Sequence, residues 1–393
     1  MGLLANTVSL CQFQVLGDLP TTALSTWVGE ALAAHGFVPI DQGPEELSIG
    51  WVEIDDSKSS AFAEPQSYER DHYLCFALRR DQRRVPARLL RAHFEQAQAD
   101  FLAANPGMQR INKQKKEELK EAVRGQLLSR TLPEPAMFDA VWDTRRGLLS
   151  FTSLSPKVIE LFENQFKQSF PGLRLVALHP FARAEQVLPE AQRPALASAN
   201  QAGSSTVLDL IKDNQWLGRD FFLWLTYQTM NAASTYKVNQ STGPALAEEG
   251  FVAYLNDRLS LVGGSEQGVQ KVTVAGPQDR FSEVRTALCS GKQITEAVLY
   301  LEQQENLWKL NLKGESFHFA GFKAPAVKLE KDNRADAEHE KVAIFYERMH
   351  VLEGGLQLFD SLFSSFLSLR LGSEWGPTLS TIEAWLEAGE QPA

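Results

Sequence analysis

Near the start of the chain, residues 7–15 alternate, with Cys11, Phe13 and Val15 on one side and Gln12 and Gln14 on the other. A period of two is the mark of a half-covered strand. The period lengthens to that of a helix through Trp27, Val28 and Leu32, with Thr21 or Thr22 as its cap and Gly36 as a left-handed stop. Strands return at 49–54 and about 72–78. From Pro86, apolar residues recur at Leu90, Phe94, Ala97 and Phe101, which predicts a helix ending near Asn105-Pro106-Gly107. A second helix over about 110–130 carries Leu119, Val123 and Leu127 on one stripe. Strands at 136–142 and 148–152 follow, joined by a turn at 143–147. Then come a helix opened by Ser155-Pro156, with Ile159, Phe162 and Phe166 inward, and a strand at 173–178.

Residues 181–206 are rich in Ala, Gln, Pro and Ser with little periodicity, and read as a linker or long loop. Helical pattern resumes at 208–230, where Phe221 to Leu225 are apolar on nearly all sides. Short strands at 251–254, 259–262 and 272–275, a helix at 281–288 and a meander over 294–322 follow. Near the end, Phe345, Leu352, Phe359 and Phe366 repeat every seven residues, with Met349, Leu356 and Phe363 between them. Such an a/d seam suits a helix lying on its own core or one meeting a second copy. The fold class expected is α+β: mixed sheets with packed helices, a helical excursion at 86–130 and a long C-terminal helix. The expected domains are a central sheet domain (1–85 and 131–180), the helical tip (86–130), a linker (181–205), a second α+β domain (206–330) and a C-terminal helical segment (331–393).

The chain has 393 residues, 44% of them apolar and 22% charged. It has no run of 18 apolar residues and no basic residues ahead of an early apolar stretch, so neither a membrane span nor a secretory signal is expected. Cys11, Cys75 and Cys289 form no CxxC pair, which points to a reducing cytosol and away from a disulfide framework or zinc knuckle.

The net charge of −10 conceals an asymmetry. Residues 1–68 carry a net −8, residues 69–130 a net +6 and the remainder a net −8. A basic segment between acidic flanks is the footprint of a phosphate-binding surface, or else a solvated face. Arg79, Arg80, Arg83, Arg84, Arg88 and Arg91 fall within thirteen residues where a strand gives way to a helix. Guanidinium forks there can reach several phosphate oxygens. On the next helix Lys113, Lys116, Lys120 and Arg124 line one flank, with Glu117, Glu118 and Glu121 between them as possible partners.

No catalytic signature accompanies this segment. Gly263-Gly264-Ser265-Glu266-Gln267-Gly268 lacks the lysine of a phosphate loop, since Val269 follows, and reads as a turn. His72 and Cys75 have no second ligand pair, and Glu338-His339-Glu340 sits in a loop-like stretch. Asp55-Asp56 and Glu117-Glu118 are adjacent residues that do not converge on one ion. No catalytic residue, metal or cofactor is expected.

The order of segments resembles the family of the bacterial recombination-associated protein RdgC. The matching pieces are Gly36-Phe37-Val38-Pro39, Gly50-Trp51-Val52, the run Lys115-Lys116-Glu117-Glu118-Leu119-Lys120-Glu121, Leu127-Leu128-Ser129-Arg130, Trp142-Asp143-Thr144, Ser290-Gly291-Lys292 and the helical tail. The aromatic helix around Leu217-Gly218-Arg219-Asp220 looks like a feature of longer members. The resemblance implies a non-enzymatic, cytoplasmic, nucleoid-associated protein that binds double-stranded DNA with little sequence preference. It further implies a closed homodimeric ring with a basic hole, and restraint of RecA-mediated recombination. It places a basic residue and an aromatic of a Leu-Leu-Pro-Arg-Ala-Phe stretch at one dimer contact. Arg130 keeps the basic residue, whereas Ser129 replaces the proline and Leu132 the aromatic, which implies an altered contact. Arg130 joins the DNA-binding set, and Arg130, Leu132, Phe359, Phe363 and Phe366 form the expected dimer set. The rival readings are a metal-dependent nuclease acting on recombination intermediates and a protein-interaction module without direct DNA contact.

Overall fold

The computed structural model describes residues 2–388 other than Thr21, Pro44, Ala233, 266–267, 278–280 and 328–336. In chain order the elements are β1 (Thr7–Leu16), α1 (Leu24–Ala34), β2 (Leu47–Val52), β3 (Glu69–Arg70), β4 (Tyr73–Gln82), α2 (Ala87–Ala104), α3 (Lys113–Arg130), β5 (Glu134–Asp143), β6 (Leu148–Phe151), α4 (Pro156–Ser169) and β7 (Arg174–Ala177). They continue with α5 (Pro180–Val187), α6 (Arg193–Ala199), α7 (Val207–Asp213), α8 (Trp216–Asn231), β8 (Thr235–Lys237), β9 (Gly250–Ser265), β10 (Gly268–Ala275), α9 (Ser282–Cys289), β11 (Gln293–Gln303), β12 (Asn306–Lys313), β13 (Phe319–Lys323), α10 (Ala337–Arg370) and α11 (Trp375–Glu387). The fold is α+β, with antiparallel sheets and a long C-terminal helix. It divides into a smaller unit, Gly17–Arg145 with Glu160–Leu173, and a larger one, Met1–Leu16, Arg146–Ile159 and Arg174–Ala393. That division cuts across the expected one, because β1, β6 and β7 fall in the larger unit.

In the smaller unit β4 lies between β2 and β5, and β3 adds to its end. Every residue from Tyr73 to Leu78 is buried, as befits a central strand. The Glu160–Ser169 part of α4 covers this sheet with Phe162 and Phe166, one turn apart, and Phe170 extends the stripe. Trp51 on β2 meets Phe76 and Phe162 edge-on at 5.1 and 5.7 Å and donates its indole N–H to Ser169 Oγ at 2.7 Å. The buried indole thus loses no hydrogen bond. Gly50 matters for clearance, since a Cβ there would run into the Phe37 backbone.

The larger unit has the strand order β10-β9-β11-β12-β13-β1-β6, with β8 on β9 and β7 on β1. Its core gathers around Phe221 of α8, whose ring lies 6.1, 5.7 and 5.5 Å from Phe359, Phe363 and Phe366 of α10. The aromatic helix is therefore a core element. Arg183 of α5, 2% exposed, bonds Gln12 of β1 and Asp360 of α10 and lies over the Phe319 and Phe359 rings. Burial raises the Asp360 carboxyl pKa, and the Arg183 guanidinium opposes that shift.

Four local expectations are corrected. The expected linker at 181–205 holds α5 and α6: His179 caps α5 by accepting from the Ala182 N–H, and proline stands in the first turn of each helix. A stretch rich in Ala with Pro at helix starts favours helix, not loop. Second, α1 starts after Ala23, in a left-handed conformation, with no side-chain cap; Thr21 lies outside the described residues. Third, Gly36 has no positive φ. It is needed for close approach, because a Cβ would stand 2.8 Å from Ser60 O where Gly36 bridges Trp51. Fourth, α10 begins at Ala337, so residues 338–340 are helical. The turn expected after Gly264 includes Glu266 and Gln267, which lie outside the described residues.

The C-terminal seam also finds its place. Phe359, Phe363 and Phe366 are 0% exposed, as are Leu358, Leu362 and Leu367. A helix apolar on more than its a and d positions is buried on most sides by its own unit. These three phenylalanines are therefore unavailable as direct dimer contacts.

Candidate nucleic-acid interface

Between β4 and β5 the smaller unit extends a helical hairpin. Pro86 stands at the N-cap of α2, and Asn112 Oδ1 accepts the Lys115 N–H at 2.8 Å to cap α3. No residue of α2 is buried; Leu90, Phe94, Ala97 and Phe101 are half-covered. On α3, Val123, Leu127 and Leu128 are buried, so the hairpin is anchored through the C-terminal end of its second helix.

The six arginines of the junction separate by environment. Arg79 is part-buried and forms a bidentate pair with Asp81 at 2.8 and 2.7 Å; that bonding holds its pKa up. Arg80 is half-buried, its guanidinium 5.9 Å from the centre of the Phe138 ring. Arg83 is 5% exposed, contrary to its expected place on the surface. It donates to Ile40 O at 2.7 Å, Asp41 O at 3.1 Å and Leu128 O at 3.3 Å. Arg91 is exposed and pairs with Glu95 at 2.9 Å. Arg84 and Arg88 are exposed without a carboxylate partner among the described residues.

On α3, Lys113, Lys116 and Lys120 are exposed without such a partner, and the hairpin adds Arg110 and Arg130, likewise exposed. Arg124, by contrast, is held by Glu46 at 2.6 Å and Glu121 at 3.7 Å, and Lys115 by Glu118 at 2.9 Å. Lys113, Lys116 and Lys120 share a face spanning about 10 Å of helix. Lys113, Lys115 and Lys116 crowd the first turn of α3, which has no acidic residue. Cations at the positive end of a helix dipole are unfavourable, so this end of the hairpin is a concentrated positive field. Arg110 lies outside the set expected from sequence; its signal there is a basic residue two positions before the cap.

The candidate metal ligands of the sequence lie elsewhere, except Glu117 and Glu118, which are exposed on α3. Asp55 pairs with Arg70, and Cys75 is buried with its thiol pushed up to about 12 by burial. His72 Nδ1 lies 2.7 Å from Asp71, and that bond lowers the Asp71 pKa. Among the described residues no three of His, Cys, Asp or Glu come together in a way that could hold a metal ion. No described helix is long and apolar enough to cross a membrane. Of the expected dimer set, Arg130 is exposed and Leu132 is 80% exposed.

No curated protein matches the chain. Residues 18–190 match the model of a protein family described as "Putative exonuclease, RdgC". That stretch takes in almost all of the smaller unit, hairpin included, and ends beyond α5. Over residues 18–190, then, the chain is similar to the RdgC family.

Proposed function

We propose that the protein binds double-stranded DNA through phosphates, with little sequence preference, using the α2–α3 hairpin. The observation that carries this reading is the set of seven exposed cations without carboxylate partners among the described residues: Arg84, Arg88, Arg110, Lys113, Lys116, Lys120 and Arg130. Acids do stand among them on the hairpin, at Glu95, Asp100, Glu117, Glu118 and Glu121, yet none pairs with these seven among the described residues, in a protein whose net charge is −10. The resemblance to that family supports two extensions: a homodimeric ring around the duplex, and restraint of RecA-dependent recombination by occupying its DNA.

Between four and seven neutralised phosphates give a log–log slope of affinity against salt of roughly −4 to −6. A titration of mixed-sequence duplexes tests this, with equal affinity expected for unrelated sequences because phosphate contacts carry no direct base information. A flat response overturns the reading and favours a protein-interaction module. The family description keeps a nuclease as the alternative, and it would appear as magnesium-dependent shortening of end-labelled DNA.

A further inference from the structure

Both legs of the hairpin return to Ile40, Asp41 and Glu46, shortly before β2. On the entering leg, the Arg83 backbone N–H donates to Glu46 O at 2.9 Å, and its guanidinium bonds Ile40 O and Asp41 O. On the leaving leg, the same guanidinium takes Leu128 O near the end of α3, and Arg124 binds Glu46 Oε2. Leu128 O belongs to the last turn of α3, the negative end of its dipole, where a cation is favoured. Between these ties and the tip, α2 has no buried residue to brace it.

We infer that Arg83 and Glu46 are positioning residues: they set the angle at which the cationic hairpin leaves the sheet, and so which of its cations reach a polyanion together. The inference rests on the nucleic-acid reading above. Geometry makes the angle matter. Eighteen helical residues form an arm of about 27 Å, so a tilt of about 10° at the foot moves the tip by roughly 5 Å. A charge-assisted hydrogen bond does not survive that displacement. Arg83 is suited to the task because one planar fork serves carbonyls on two separate segments, which a lysine ammonium does not reproduce.

Glu46 provides a test in which two accounts predict opposite signs. If only net charge matters, Glu46→Gln removes a repulsive carboxylate and tightens binding. If the foot sets the angle, the same change loosens Arg124 and weakens binding despite the better charge. We expect Glu46→Gln to bind a mixed-sequence duplex severalfold more weakly at about 100 mM salt, with a shallower salt slope. For Arg83→Lys we expect the slope to shrink by two or more, beyond the roughly 0.9 that one lost phosphate contact explains. Hydrogen exchange should quicken at residues 124–130 while the Trp51 core keeps its protection.

Tighter or unchanged binding by Glu46→Gln overturns the inference. So does a folded Arg83→Lys with wild-type affinity and slope, since that substitution preserves a direct phosphate contact and only disturbs a fork. If Arg83→Lys does not fold, Glu46→Gln decides, because Glu46 is a part-exposed surface residue. A flat salt response in the unmodified protein instead removes the nucleic-acid reading itself, which separates the two failures.

Discussion

Arg83 and Arg84 are neighbours in the chain with opposite environments, one enclosed by backbone carbonyls and the other exposed on the hairpin. Burial treats titratable groups the same way in the larger unit. His179, 3% exposed, must stay neutral to accept the Ala182 N–H at the start of α5, and burial lowers its pKa to about 4. His318 is lowered to about 4 by burial and by the nearby Lys313 charge. Below the ordinary histidine value of 6.5 the unfolded chain takes up protons that the folded one refuses. The stabilisation is therefore complete above pH 6.5 and is lost progressively as the pH falls towards 4. For His179 the loss is about 3 kcal/mol at its limit. Urea unfolding followed between pH 7 and 4.5 should show it, and His179→Asn, which keeps an acceptor and removes the titration, should flatten its share of the slope.

At the scale of elements, the hairpin should behave as a replaceable electrostatic part. Arg84→Glu with Arg88→Glu is expected to reduce the magnitude of the salt slope by at least two and to weaken binding tenfold or more, with an unchanged circular dichroism spectrum. Lys271→Glu with Lys323→Glu, on exposed positions of β10 and β13, should leave binding unaltered. Equal weakening by both pairs would place the interface elsewhere. The helix pair was legible in the sequence because Leu90, Phe94, Ala97 and Phe101 keep a helical period and Asn105-Pro106-Gly107 breaks it. Which arginines stay free was not legible. Arg83 is taken by carbonyls 42, 43 and 45 residues away, and Arg124 by a carboxylate 78 residues away. Carbonyl acceptors leave no trace in side-chain pattern. What the seam of α10 packs against was open for a related reason: a seven-residue repeat says that a stripe is covered, not by what, and here Phe221 and Phe317 cover it.

For the whole molecule, the proposed function raises the question of how an acidic protein would hold a polyanion. Two copies with hairpins turned to a shared hole and acidic segments outward would answer it, since binding then depends on where charge sits. The proposed ring predicts slower dissociation from a relaxed circular duplex than from the same DNA made linear, and a folded Leu132→Asp variant that loses the difference. Leu132 is the better target than Phe363 because one is 80% exposed and the other lies in the core. Identical release from both forms, or a monomer at micromolar concentration, would leave a simple basic-patch binder. The discontinuous larger unit also sets an order of events on the ribosome. The last residue of the smaller unit is Leu173, so that unit can close while the rest is still being made. The later part of β1, from Cys11 to Leu16, finds β6 and β7 early, but its part from Thr7 to Leu10 waits for β13, which ends at Lys323. At about 5 to 20 residues per second that leaves the part of β1 from Thr7 to Leu10 without β13 for roughly 10 to 30 s. During synthesis, then, the nascent chain carries a finished hairpin and an incompletely paired strand, and it is the strand edge that a chaperone would have to guard.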